Sequence, residues 1–143
     1  MYEVPRCAGP GCGRPMTRLG TGRRPRYCGP NCRKAAQRER DRLAGAEQRR
    51  AVQLADATAT VTRLRRPLEE AGFRTSVRAA NVYAAAADPV DVADLDQSLA
   101  QLRLAVDELA ALARDYRHAA DEADEAAGRY RAAITASGPN RPG

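Results

Sequence analysis

All four cysteines of the chain lie within its first 32 residues, in two close pairs separated by a loop. Written as spacings, Cys7, Cys12, Cys28 and Cys32 read C-x4-C-x15-C-x3-C. Two pairs of thiolates, each holding one edge of a tetrahedron, are the usual donor set of a structural zinc site. We therefore predict that these four sulfurs bind one structural Zn²⁺.

The residues beside the cysteines favour a tight turn at the first pair and a helix start at the second. Gly11 and Gly13 flank Cys12, which suits a zinc knuckle, a turn whose backbone N–H groups point at sulfur. We interpret Gly29 as an N-cap and Pro30 as the first helical residue, where a missing N–H costs nothing. The last cysteine then lies in the first helical turn, whose positive end favours a thiolate.

Two disulfide bonds or an iron–sulfur cluster are the alternatives for four cysteines. The first 25 residues contain five arginines and no apolar run, so we expect no signal peptide. Disulfide bonds are uncommon in proteins that are not exported, which leaves zinc as the favoured interpretation. We expect a cytoplasmic protein, associated with the nucleoid if it binds DNA.

The segment from Cys7 to about residue 42 resembles a treble-clef zinc finger, in which a knuckle and a β-hairpin precede a helix that donates the last two ligands. Its residues 26–35 read R-Y-C-x3-C-R-x-A, similar to the R-Y-C-S-x-x-C-R-x-A run of small actinobacterial finger proteins. The arrangement is also similar in style to CGNR-type zinc fingers. The resemblance implies zinc binding and nucleic-acid binding.

Charge changes along the chain from a basic beginning to an acidic end. Residues 1–50 contain 13 basic and 4 acidic residues, a net charge of +9, whereas residues 88–143 contain 6 and 11, a net charge of −5. A GC-rich genome raises the number of arginines but does not produce such a gradient. An anionic partner at the basic end is therefore expected, and no apolar stretch is long enough to suggest a membrane.

A first long helix is predicted over residues 30–66, where apolar residues recur at spacings of three and four. These residues are Leu43, Leu54, Ala57, Val61, Leu64 and Leu68. Glu47 and Arg50 interrupt the stripe near the cysteines. Pro67 is predicted to kink or end the helix, so residues 67–87 are interpreted as a connector that contains a short helix.

A second helix is predicted over residues 88–136, with Asp88 as N-cap and Pro89 in its first turn. Two rows of apolar residues repeat every seven positions along it, which is typical of a packing seam. The rows are Val92, Leu99, Val106, Ala113, Ala120, Ala127 and Ile134, and Leu95, Leu102, Leu109, Tyr116, Ala123 and Tyr130. Residues 137–143 are expected to be a disordered tail.

This seam needs a partner, because a lone helix would leave its apolar side in water. The first helix folded back would cover it, and so would a second copy or another helical protein bound through residues 92–134. The predicted fold is mostly α, with a small N-terminal four-Cys treble-clef zinc finger (residues 1–33, knuckle plus β-hairpin) followed by long helices in a helical hairpin or coiled coil.

Basic residues of the hairpin and of the first helix are predicted to contact duplex DNA. Lys34, Arg38 and Arg42 follow one another at four-residue spacing and share one helical face. The full set is Arg18, Arg23, Arg24, Arg26, Arg33, Lys34, Arg38 and Arg42. The favoured function is therefore that of a DNA-binding regulatory protein. Its helices would join two chains and set the distance between their two basic zinc-finger segments.

A zinc-stapled scaffold for protein–protein interaction is the alternative function, in which the acidic last helix neutralises the basic first one. Catalysis has little support. The single histidine, His118, lies mid-helix away from the seam, and zinc held by four cysteines has no open position for water. We therefore expect no enzyme activity and no small-molecule substrate.

Overall fold

The computed structural model describes residues 4–17, 25–87 and 92–138. Two helices dominate them: α1, Pro30–Ala87, has 58 residues, and α2, Val92–Ser137, has 46 residues. They pack together, and the four-Cys segment precedes them, so the predicted mostly α class is confirmed. Neither described helix has an apolar stretch long enough to cross a bilayer.

The chain divides into two compact units. The N-terminal unit comprises residues 1–50 together with 130–143, and the helical unit comprises residues 51–129. All the cysteines belong to the N-terminal unit, whereas the helical unit contains the C-terminal part of α1 and the N-terminal part of α2.

Side-chain bonds in the helical unit show that α1 and α2 run antiparallel. Arg74 donates to Glu108 Oε1 at 2.7 Å, and Arg78, one turn further along α1, donates to Gln101 Oε1 at 2.6 Å. A later residue of α1 therefore contacts an earlier residue of α2, as in an antiparallel pair. The partner of the α2 seam is thus the first helix of the same chain, one of the two arrangements expected from the sequence.

The predicted stripe of α1 is half-buried at every position from Leu43 to Leu68, and Ala71, the next small residue, is only 1% exposed. On α2 the predicted row that contains Leu95, Leu102 and Tyr116 is half-buried throughout. These rows form the contact between the two helices.

The second predicted row of α2 is wrong in part. Val92, Val106 and Ile134 are 71%, 46% and 42% exposed, whereas the other members of the row are half-buried. The row one residue earlier packs inward at every described position, half-buried or buried: Ser98, Ala105, Leu112, Ala119, Ala126 and Ala133. We call this set the alanine-rich row. Valine and isoleucine are more hydrophobic, but alanine allows the helices to approach closely, as where Thr75 Oγ1 reaches the Ala105 carbonyl at 3.2 Å.

The predicted end of the first helix at residue 66 is wrong, because α1 continues through Pro67 to Ala87. Residues 73–87 are helical as expected, but they belong to α1 and not to a separate connector. Pro67 lies on the exposed side, where water can solvate the carbonyl that loses its helical partner. Leu64 and Leu68, packed on either side of it, hold the chain in the helix.

The start of α1 and the end of α2 agree with the sequence-based prediction to within one residue. α1 begins at Pro30, and the N–H of Arg33 donates to the Gly29 carbonyl at 3.2 Å, as the N-cap assignment requires. α2 ends at Ser137, and Gly138 follows with φ +66°, a left-handed conformation typical of a helix stop.

Three predicted features lie wholly or partly outside the described residues. They are the β-hairpin predicted over 15–27, of which 18–24 are not described, the second helix start at 88–91, and the tail predicted over 137–143, of which 139–143 are not described. The described flanks of the hairpin, 15–17 and 25–27, contain no β-strand, and the one β-bridge among the described residues joins Arg6 to Pro15.

Candidate metal centre

The first cysteine pair is held by a compact loop over residues 5–16. The Cys7 N–H donates to the Arg14 carbonyl at 2.9 Å, and the Cys12 N–H closes a turn onto the Gly9 carbonyl at 3.0 Å. Gly11 and Gly13, on either side of Cys12, have φ +68° and +56°. Because side chains disfavour this left-handed region, the predicted role of the two glycines is confirmed.

Backbone contacts bring the second cysteine pair to the first. The Ala8 N–H donates to the Arg26 carbonyl at 2.9 Å, and the Cys28 N–H donates to Cys7 Sγ at 3.2 Å. Cys32 follows in the first turn of α1, as predicted. The helix start and the knuckle thus converge on the four sulfurs.

Gly9 is a residue of the site that the sequence did not reveal. A Cβ built on Gly9 would lie 2.8 Å from Cys32 Cβ and 3.1 Å from its sulfur. The loop can approach the start of α1 only because this position has no side chain. The one feature of the sequence that could have indicated this role is the position of Gly9 two residues after the first cysteine.

The four Sγ atoms lie within 4.8 Å of one another. Cys28 Sγ is 3.6 Å from Cys12 Sγ and 3.4 Å from Cys32 Sγ. A tetrahedron with Zn–S bonds of about 2.3 Å has edges of about 3.8 Å, close to these separations, whereas a disulfide bond is about 2.05 Å long. All four are free thiols, so the cluster can hold a metal ion, consistent with a zinc finger.

Two backbone N–H groups favour the thiolate of Cys7. Those of Cys28 and Gly9 donate to its sulfur at 3.2 and 3.4 Å, and the side chain is buried, with 6% exposure. These bonds, that of Cys28 first, lower the pKa of Cys7 to about 7. The chain therefore prepares one sulfur as a ligand before any metal binds.

Crowding of the sulfurs has the opposite effect on Cys32. The adjacent Cys28, and then Cys12, raise the pKa of Cys32 to about 12. The pKa of Cys28 is also raised overall: its contact with Cys32 lowers it, but those with Cys12 and Cys7 raise it. Four thiolates at these distances repel one another, and a divalent cation removes that repulsion.

We expect metal binding to release protons and to strengthen as pH rises. At neutral pH the raised pKa values keep Cys28 and Cys32 protonated, so zinc must displace at least these two protons. The apparent zinc affinity should then rise about a hundredfold or more per pH unit near neutrality. Competition with a chromophoric chelator at several pH values checks this; a pH-independent affinity would contradict it.

One side of the sulfur cluster faces a depression of about 470 Å³. Cys12, Cys28 and Cys32 line it together with Arg14 and the start of α1. None of its described lining residues is a histidine or a carboxylate, so the donor set is made of sulfur alone.

Five of the predicted DNA-contacting residues are described, and all five are exposed: Arg26, Arg33, Lys34, Arg38 and Arg42. Arg18, Arg23 and Arg24 lie outside the described residues. Arg42 is paired with Glu39 of its own helix at 2.6 Å, whereas Lys34 and Arg38 form no ion pair with any described residue. Unpaired, exposed positive charge is therefore present in the first turns of α1.

The single histidine is placed as the sequence suggested. His118 lies on α2 with a side chain that is 75% exposed, and its Nδ1 is 3.7 Å from Glu122 on the same helix. Its surroundings are those of a solvated surface residue.

Comparison of the chain with protein-family models, with curated proteins and with solved structures gives no significant match. The assignment of the metal centre therefore rests on the arrangement of its own residues.

Proposed function

We propose that the protein is a zinc-dependent DNA-binding regulator. Zinc held by Cys7, Cys12, Cys28 and Cys32 in a treble-clef-type arrangement would fix the start of α1 against the knuckle. The observation that carries the proposal is the exposure of Lys34 and Arg38 in the first turns of α1, directly after the last cysteine and without an ion-pair partner among the described residues.

The metal acts here as a cross-link. Zinc bound by four thiolates is coordinatively closed, and its contribution is to join segments that are distant in sequence. The segments around Cys7 and Cys28 are connected through the described residues by only a few backbone bonds, such as that of Ala8 with Arg26. Metal binding would thus hold Arg26 and Arg33 near the basic face of α1.

The phosphate contacts would come mainly from charges that are not already paired with described residues. Lys34 and Arg38 are about one turn apart and exposed, and the exposed Arg26 and Arg33 precede them in sequence. Such residues neutralise phosphates and release condensed counterions. Arg42 would contribute less, since its bond to Glu39 must be exchanged for a phosphate.

The scaffold alternative has one observation in its favour, the ion pair between Arg74 of α1 and Glu108 of α2 at 2.7 Å. It is a pairing of basic α1 with acidic α2. That pair is half-exposed and is expected to contribute less than about 1 kcal/mol. The exposure of Lys34 and Arg38 favours an external polyanion instead.

The salt dependence of duplex binding tests the proposal. With about six phosphate contacts, the affinity of the zinc-loaded protein should fall with a log–log slope near −5. Lys34→Ala combined with Arg38→Ala should flatten the slope by about two units, because two contacts are lost. Fluorescence anisotropy with a labelled duplex at several salt concentrations measures both slopes.

The matched control is Arg65→Ala combined with Arg66→Ala, which removes the same charge from α1. Both arginines are paired with glutamates one turn away, Glu69 and Glu70, and this double variant should bind like the wild type. The absence of duplex binding by the wild type at about 50 mM salt would refute the proposal. If the salt-dependence slope changed equally in both double variants, binding would depend only on the net charge of the protein. That result would contradict the assignment of Lys34 and Arg38 as phosphate contacts.

A further inference from the structure

The last part of α1, residues 71–87, has an uncharged outer surface. Between Ala71 and Ala87 the only charged residues are Arg74 and Arg78. Both side chains reach to α2, where they donate to Glu108 and Gln101. The surface of this segment that faces away from α2 therefore lacks the charges that normally solvate an exposed helix.

Large apolar side chains lie on that surface. Phe73, Val77 and Tyr83 are 73%, 44% and 80% exposed. Phe73, Val77, Ala80 and Ala84 follow one another at spacings of four, three and four, so they form one stripe along the helix. We call these four residues the outer stripe; Tyr83 lies at its edge.

The helical unit offers no place to bury these side chains. The buried residues among those described there are Ala71, Ala119 and Ala126, all alanines. Two helices meet along a single seam, and a helix with apolar residues on a second face needs a further packing layer. An exposed stripe of this kind marks an interaction site.

We propose that the outer stripe binds the outer stripe of a second copy of the chain, antiparallel about a two-fold axis. In that arrangement Phe73 lies opposite the partner's Ala84, and Val77 lies opposite the partner's Ala80. Each large residue meets a small one, and the two-fold axis repeats both pairs. The stripe is thus complementary to itself, which favours a second copy over an unrelated partner.

The area of the stripe places the expected dimer among small, weak interfaces. The exposed rings of Phe73 and Tyr83 contribute roughly 150 Å² each. With Val77 and the alanines, about 500–600 Å² is buried per copy, or about 1,100 Å² in total, at the lower end of specific interfaces. The dimer is therefore reversible, with a dissociation constant in the micromolar range.

Sedimentation velocity of the full, zinc-loaded chain from about 1 to about 100 µM tests the dimer. The wild type should shift from the mass of one 15.4 kDa chain to that of two. Phe73→Glu should raise the dissociation constant more than tenfold. Leu104→Glu is the matched control, since Leu104 of α2 is 71% exposed, and it should dimerise like the wild type.

A second variant separates specific pairing from general adhesion. Ala84→Phe adds apolar area to the stripe, so it would strengthen non-specific association, but it fills the space opposite Phe73 and should weaken the proposed dimer. Far-UV circular dichroism should show wild-type helicity for all three variants, because the altered positions are exposed.

Three results would overturn the proposal. One is a wild-type protein that stays monomeric at about 100 µM, which would mean that the outer stripe does not bind a second copy and that its partner is a different protein. Another is a dimer that survives Phe73→Glu, and the third is a dimer that Leu104→Glu weakens equally.

Discussion

Cys28→Ser is expected to abolish zinc retention while leaving most of the helical signal. Cys28 Sγ contacts both Cys12 Sγ and Cys32 Sγ, at 3.6 and 3.4 Å, so its loss removes a central donor. Structural zinc sites of this type contribute about 10–16 kcal/mol of apparent binding free energy at neutral pH. Residues 51–129 contain no cysteine, so the contacts between α1 and α2 there do not depend on the metal.

Elemental analysis after exhaustive dialysis, with circular dichroism of the same samples, measures both parts of this prediction. We expect about one zinc per wild-type chain and almost none in Cys28→Ser. His118→Ala is the control, because it removes the single imidazole, which is exposed, and should keep the metal. Zinc retained in full by Cys28→Ser, or iron in place of zinc, would contradict the assignment.

The closeness of the four cysteine sulfurs could be predicted because it depends on covalent spacing and on local turn chemistry. The glycines around Cys12 and the proline at the start of α1 are short-range signals, and both act as expected. The requirement for Gly9 could not be predicted. It arises from a 2.8 Å approach to Cys32, more than 20 residues away, and only the folded chain defines such a contact.

The N–H groups that donate to Cys7 could not be predicted either, because these contacts are also defined only in the folded chain. One of them belongs to Cys28, and the bond exists only after the two cysteine pairs have come together. A sequence specifies which atoms can bind metal, whereas the order of their pKa values depends on neighbours that folding supplies.

The periodicity of apolar residues predicted two long helices. It predicted only part of the face of α2 that contacts α1. A pattern search favours Val106 and Ile134 over alanine because they are more hydrophobic. Packing at close range favours the smaller residue, as Ala119 and Ala126, at 4% and 3% exposure, demonstrate. Pro67 is a second case in which tertiary contacts override a local preference, since an interior proline costs about 3 kcal/mol locally.

The alanine-rich row of α2 leads to the second large expected effect. Ala119→Asp should lower the free energy of unfolding of the helical hairpin by about 3–5 kcal/mol, because it places an unpaired carboxylate at a position that is 4% exposed. Urea unfolding followed by circular dichroism measures the change. Zinc content should be unaffected, since residue 119 belongs to the helical unit and not to the cysteine unit.

Ala110→Asp is the matched control for this variant. Ala110 lies on the same helix but is exposed, so the same substitution there should cost only the difference in helix propensity, about 0.5–0.7 kcal/mol. The comparison removes the intrinsic effect of aspartate and leaves the effect of burial. Equal destabilisation by the two variants would mean that the alanine-rich row does not face α1, and that Val92, Val106 and Ile134 should again be considered for that face.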